Sequence, residues 1–398
     1  MSEVASVLTI AGAIITIGFT ANVIFRKAGI PDVLFLIFTG IVFGPLLNIF
    51  SPSDLLPLVP VFTALTLSLI LFHGGLSMKI RSALSQSFRA TALAFLYVIS
   101  ATIFVSLFSH FFLKFSWIEA LILGPMTAGT SSVIIVPLLS KIGVTEEVKS
   151  ILSLESVFTD ILNIILVMIF LQVYLEGFID TQRAASMLAS RFSVGIMIGA
   201  LIGLFWLKVL DIVKKQEYVY MLTVAAIILC YSTTETLGGS GPLSALVFGM
   251  VLGNHGAIHV FGIRVDTEAI EKLVENIKNF QGEITFLVRA LFLVTLGLIY
   301  MPQIHGIIYA GIIVAVNILL RYSSIKALFR GSPLDKYGKF MTLMCGTGLA
   351  NATLSLLVYN ELMQRSVIAS LYPLIVTNII IMNNIVTTLA PMILRGKT

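Results

Sequence analysis

Apolar stretches long enough to cross a bilayer recur along this chain from one end to the other, and no other feature constrains its fold as strongly. A spanning helix needs about 20 mostly apolar residues. Of the 398 residues, 58% are hydrophobic and 11% are charged; a soluble globular domain carries about 25% charged residues. Too little polar side chain exists to cover a water-facing surface, so the length does not divide into soluble domains. The bilayer is the solvent, and the fold class is an all-α polytopic membrane protein.

Thirteen spans are expected, at roughly 4–25, 33–50, 55–78, 89–113, 117–140, 150–175, 191–212, 218–236, 241–263, 283–301, 304–325, 338–360 and 367–394. Segment 266–281, with Asp266, Glu268, Glu271, Lys272, Glu275 and Lys278, reads instead as a polar interfacial helix. Lysine and arginine crowd the loops after odd-numbered spans, whereas the opposite loops hold only Lys114, Arg183, Arg191 and Arg365. The positive-inside rule then places the N-terminus outside and the C-terminus in the cytoplasm. The net charge of +5 follows from this topology; the basic residues form no patch with interleaved aromatics, so no nucleic acid is expected as partner. Cys230 and Cys345 both lie in apolar segments, where two thiols make neither a disulfide framework nor a zinc site. The start Met1-Ser2-Glu3 has no basic n-region, so the first apolar stretch is expected to remain as a span. No soluble regulatory domain is expected after the last span.

Two spans carry interruptions. Span five contains Gly124-Pro125, then Thr127-Ala128-Gly129-Thr130-Ser131-Ser132, and span twelve contains Gly346-Thr347-Gly348 with Asn351 close behind. Glycine and proline break the hydrogen-bond ladder, and in a membrane the freed backbone groups must be met by protein or by water in a cavity. Interrupted helices at corresponding places of two halves point to a transporter with inverted repeats and a midplane site. The halves are 4–175 and 218–394, linked by span 191–212. The plainer alternative is that these small residues only allow close helix packing.

Ionisable residues inside a span are functional candidates by default. Span six holds Glu155 and Asp160. Helical spacing puts Ser156 and Asp160 on one face and Glu155 and Thr159 on another. The charge partners available inside spans are Arg289 and Arg321. One of them is expected to pair with Glu155, leaving Asp160 unpaired; the alternative is two structural ion pairs, one per arginine. Desolvation disfavours a charged carboxylate, so an unpaired one holds either a proton or a small cation, never both. That competition is a coupling mechanism. His73, followed by Gly74-Gly75, is a further titratable candidate, although a packing histidine fits as well. Gly238-Gly239-Ser240-Gly241 matches the Gly-x-Ser-Gly of rhomboid intramembrane proteases, but the nearby His255 sits on the same span and makes no cross-helix dyad. No enzymatic activity and no cofactor are expected, only a transported monovalent cation and protons.

The motifs together resemble a family. Glu155-Ser156-Val157-Phe158-Thr159-Asp160 is similar to the Glu-Ser-Leu-x-Asn-Asp of the monovalent cation/proton antiporters, in their sodium/proton exchanger (NhaP-like) branch. Leu71-Phe72-His73-Gly74-Gly75-Leu76 resembles its Leu-Phe-Glu-Gly-Gly-Leu. Gly238-Gly239-Ser240-Gly241-Pro242-Leu243 through Leu252-Gly253-Asn254 resembles its Gly-x-Ser-Gly…Leu-Gly-Asn span, and Gly348-Leu349-Ala350-Asn351-Ala352 stands where the branch has Gly-Leu-Arg-Gly-Ala. The resemblance implies that Asp160 takes the transported cation or the proton, with Ser156 and the unwound backbone near Thr130 as further ligands. It implies that Glu155 pairs with Arg321, helped by Thr159. It also implies a homodimer in the membrane lipid, in which core spans (about 89–175 and 304–394) move against dimerisation spans (about 4–78 and 191–301). The sequence departs from the family at Thr159 (asparagine there), at Ser131-Ser132 (Asp-Pro there) and at His73 (glutamate there). With no second aspartate beside Asp160, electroneutral exchange of Na+ or Li+ for H+ in a prokaryotic plasma membrane is expected. A K+/H+ antiporter or potassium efflux protein of the same fold is the alternative, and a channel or intramembrane enzyme a more distant one.

Overall fold

The computed structural model describes residues 12, 16, 20, 33–47, 59–140, 144–177, 181–213, 216, 218–258, 267–298, 300 and 303–394. The first expected span, 4–25, lies outside the described residues apart from three positions. All regular structure among the described residues is helical.

Helix α1 (Val33–Ile41) ends in one π-helical turn, Val42–Leu46, where Pro45 has no N–H to give the ladder. α2 (Val59–Ser77) and α3 (Ile80–Phe112) follow. Next come the two halves of a broken span, α4 (Trp117–Thr127) and α5 (Ser132–Ser140), then α6 (Glu146–Glu176), α7 (Thr181–Val213), α8 (Val219–Thr236) and α9 (Gly241–Gly253). α10 (Thr267–Leu298) and α11 (Ile304–Phe329) lead into a second broken span, α12 (Gly338–Leu343) and α13 (Leu349–Leu362), and α14 (Leu371–Leu394) closes the bundle. By length and apolar composition, α3, α6, α7, α8, α11 and α14 are each able to cross a membrane. The chain is an integral membrane protein.

α10 departs from expectation. The polar segment 266–281 and span 283–301 were expected as separate elements, but a single helix runs unbroken from Thr267 to Leu298. Ile270, Leu273, Val274, Ile277 and Gln281 form a buried stripe at helical spacing, while Glu271, Lys272, Glu275 and Lys278 take the exposed side. Charge sets which side faces out, not where a helix ends, and a lone Gly282 is tolerated inside one.

α6 sits at the centre. Every residue from Ser150 to Asn163 is buried, and α3, α4, α5, α7 and α13 surround it. α2 and α9 pack so closely that a Cβ on Gly75 would strike the Leu246 carbonyl, and one on Gly249 the Phe72 carbonyl. Asn254, just past α9, ties down the α2–α3 turn: its amide donates to the Met78 carbonyl at 2.8 Å and its oxygen accepts the Ile80 N–H at 3.1 Å. Ser240, the serine of the protease-like tetrapeptide, caps α9 by accepting the Leu243 N–H.

Candidate functional site

α4 begins at a capping box in which Ser116 and Glu119 satisfy each other's backbone N–H. It stops after Pro125, and Ala128–Ser131 leaves the helical path. Gly129 takes φ of 106°, a conformation that favours glycine; a Cβ there would also lie 2.7 Å from Asn163 Nδ2.

The backbone groups freed by this break find partners on neighbouring elements, as the membrane requires. Asn317 on α11 donates to the Thr127 carbonyl at 3.1 Å. Asn163 on α6 and Asn351 on α13 both donate to the Ala128 carbonyl, at 2.7 and 3.1 Å. Thr159 accepts the Thr130 N–H at 3.3 Å. The second break, Met344–Gly348, crosses the first directly: the Ser131 N–H donates to the Gly346 carbonyl at 2.6 Å, and the Thr347 hydroxyl reaches the Gly129 carbonyl at 3.5 Å. On its far side α14 supplies Thr387, which accepts the Cys345 N–H and donates to the Leu343 carbonyl, and Asn383, which donates to Thr347 at 2.8 Å. Gly348 is held so close to Ser131 that a Cβ on it would strike the Ser131 hydroxyl.

α6 carries both carboxylates past this crossover. Glu155 is fully buried and receives two bonds from Arg321, Nη1 to Oε1 at 2.6 Å and Nη2 to Oε2 at 2.9 Å. The remaining guanidinium edge is used as well: Nε donates to the Met341 carbonyl at 3.1 Å, and the group stacks over the Tyr97 ring. Asp160 lies about one and a half turns along, 7% exposed, and no hydrogen bond or ion pair reaches it among the described residues. Glu155, the other carboxylate on α6, is already matched by Arg321.

The other expected site residues divide. Thr127, Gly129, Thr130, Ser131, Gly346, Gly348 and Asn351 all meet at the crossover. Ser132 opens α5, and its side chain, like that of Arg289 on α10, lies outside the described residues. The Ser156 hydroxyl donates down its own helix to the Ser153 carbonyl at 2.8 Å. Thr159 turns to the crossover, and the bonds it makes there do not include Glu155. His73 lies on α2 against α10, its ring 3.8 Å from where a Cβ on Gly282 would sit. Asn163, Asn317, Thr347, Asn383 and Thr387 were assigned no role from the sequence. Polar side chains three or four residues apart within apolar helices were the available signal: a buried amide must find a partner, and a broken helix supplies one.

A profile of the family described as sodium/hydrogen exchanger, transmembrane, matches residues 12–396. The chain belongs to the sodium/hydrogen exchanger family. This exchanger is 24% identical over 380 residues to the probable Na(+)/H(+) antiporter 2 of Methanocaldococcus jannaschii, a match covering 90% of this chain and 85% of that protein. It is 27% identical over 241 residues to the K(+)/H(+) antiporter NhaP2 of Shewanella sp. (strain MR-4), covering 57% of this chain and 40% of that protein. Its fold is that of the sodium proton antiporter MjNhaP1 from Methanocaldococcus jannaschii at pH 8, with a TM-score of 0.72 at 21% identity over 100% of this chain and 97% of that one.

Proposed function

We propose that this exchanger is a secondary antiporter that trades Na+ or Li+ for H+ by alternating access, the two ions competing for Asp160. The contrast within α6 carries this reading. Glu155 is neutralised by a bidentate guanidinium, while Asp160, nearly as buried, has no counter-charge among the described residues and directly follows Thr159, which accepts the Thr130 N–H of the crossover. A carboxylate so placed is stabilised by whichever small cation reaches it, proton or metal. Thr130 and Ser131 at the crossover, Ser156 one turn below and His73 on α2 would complete the cation's shell. Glu155, Arg321 and Thr159 would hold the frame. A single ionisable acid at the site makes the exchange one proton for one cation.

The architecture proposed with it has thirteen spans in two inverted repeats. The two crossed breaks support this, since each repeat would contribute one. A homodimer built on 4–78 and 191–301, a moving core of 89–175 and 304–394, an outside N-terminus and a prokaryotic plasma membrane belong to the same proposal.

The deciding experiment is cation-induced proton release from purified protein at fixed pH. The parent chain should release protons on addition of NaCl, and Asp160→Asn should release none while eluting as the parent does. Equal release from both would overturn the reading. Potassium as the preferred cation is the second reading, favoured by the likeness to the Shewanella protein named a K(+)/H(+) antiporter. Comparing Na+, Li+ and K+ by pH quench in everted vesicles separates the two.

A further inference from the structure

The exposed stripe of α11 changes character near its end. Leu319, Tyr322, Lys326 and Arg330 follow one another at spacings of three and four residues and so share one face. Leu319 and Tyr322 are 62% and 41% exposed on a helix apolar enough to cross a membrane, so this is a side turned to lipid. Lys326 and Arg330 are exposed as well, and lie about 6 and 12 Å beyond Tyr322 along the axis. A tyrosine followed by cations is the step a chain takes where hydrocarbon gives way to headgroups.

The turn after α11 brings further cations to this end and holds them there. Phe329 and Leu334 are buried in one cluster with Leu93 of α3 and Ile151 of α6, which anchors the turn. The Ser332 N–H donates to the Phe329 carbonyl and the Asp335 N–H to the Ser332 carbonyl, each at 3.0 Å. Asp335 then reaches back, accepting from Lys326 Nζ at 3.2 Å and from the Gly331 N–H at 3.4 Å. Those two bonds, with the Arg330 charge adding less, hold its carboxyl below the ordinary carboxylate range. Lys336 follows with its ammonium 5.0 Å from the centre of the Tyr337 ring, and Lys339 is exposed on the first turn of α12. From Ser323 to Phe340 the chain thus carries four cations and one acid, and the acid is committed to Lys326. The bias of lysine and arginine between opposite loops accounts for cations at this end of α11. It does not account for a folded, core-anchored turn that gathers them at the end of a tyrosine-edged apolar stripe.

We infer that the α11–α12 turn, with Arg330, Lys336 and Lys339 beyond Tyr322, is a docking site for the headgroup of an anionic phospholipid. The phosphate meets cations carried on an already folded turn, which lowers the ordering cost of binding, while the acyl chains lie along Leu319 and Tyr322. Each cation near an anionic surface strengthens attachment about fivefold. The site stands at the foot of the second broken span. α12 is only six residues long, and its Met341 carbonyl accepts from Arg321, so a lipid held at the turn braces the helix that leads to the crossover. None of this depends on which ions are exchanged.

The test titrates the purified chain, in neutral detergent, with phosphatidylglycerol and separately with phosphatidylcholine of the same acyl chains. Bound lipids are counted by native mass spectrometry, and thermal stability is followed alongside. Arg330→Gln, Lys336→Gln and Lys339→Gln together are compared with Lys208→Gln, Lys272→Gln and Lys278→Gln together, which remove the same charge from other exposed positions. Lys336→Gln with Lys339→Gln is the second variant, used if the triple change does not elute as the parent does. The parent and the distant triple variant should bind phosphatidylglycerol at least about tenfold more tightly than phosphatidylcholine, a preference within the reach of two such cations. The variants at the turn should lose that preference. Inorganic phosphate at the same concentration should leave stability unchanged. Equal loss in both triple variants would reduce the effect to overall charge and overturn the site. Stabilisation by phosphate alone, or a parent with no preference between the two lipids, would overturn it equally.

Discussion

Glu155 and Arg321 grip each other through two parallel bonds of 2.6 and 2.9 Å, with neither side chain exposed to solvent. Such a pair gains little over an apolar substitute, but losing one member strands a buried charge. Glu155→Ala or Arg321→Ala alone should therefore cost about 3–5 kcal/mol of stability. The apolar double variant Glu155→Met with Arg321→Leu should cost less than either single change. The check is the fraction remaining monodisperse after graded heating; a double variant as fragile as the singles would refute the argument.

The proposed exchange at Asp160 has a stoichiometry that can be measured. If Asp160 alone exchanges proton for cation, transport moves no net charge. Proteoliposomes clamped at different membrane potentials should show the same Na+-driven pH change, and a rate that rises or reverses with voltage would mean that a second titrating group takes part.

The Ala128 carbonyl accepts from two amides, Asn163 at 2.7 Å and Asn351 at 3.1 Å. Removing either leaves the other in place, so Asn163→Ala or Asn351→Ala should each cost about 1 kcal/mol, near the net value of one hydrogen bond. Removing both leaves a buried carbonyl with neither donor. The double variant should lose about 1–2 kcal/mol more than the sum of the singles. Strict additivity in a thermal-shift cycle would show that the two bonds do not share a common acceptor.

Gly348→Ala should disable exchange by forcing the crossover apart. The added Cβ would strike the Ser131 hydroxyl and would also lie 2.9 Å from the Ser131 Cβ; overpacking of this kind costs about 1–3 kcal/mol. Trimming the hydroxyl alone, with Ser131→Ala, therefore should not rescue it, whereas Ser131→Gly should restore folding yield. Rescue by both would place the clash elsewhere.

Much of this was legible in the sequence because membrane burial makes polarity conspicuous. Gly129, Gly346 and Gly348 marked the two breaks, since few other signals interrupt an apolar run. Glu155 and Asp160 stood out for the same reason. Which arginine would meet Glu155 was not decidable from depth alone, because Arg289 and Arg321 sit at similar levels; only the packing of α11 against the core brings Arg321 to it. Asn163 and Thr159 were legible as residues but not in their roles. Their partners are the Ala128 carbonyl and the Thr130 N–H, atoms that every residue possesses and that become special only when a helix stops. α10 was misdivided because six charges suggested an interfacial element, whereas its buried stripe continues without a phase change from Ile270 to Gln281.

The bond from the Ser131 amide to the Gly346 carbonyl stitches one discontinuity to the other. Displacing either strand by even a single residue's rise would tear that stitch, and with it the thread from Thr347 to Gly129. If Asp160 turns from one compartment to the other as proposed, both segments must travel as a single stiff piece.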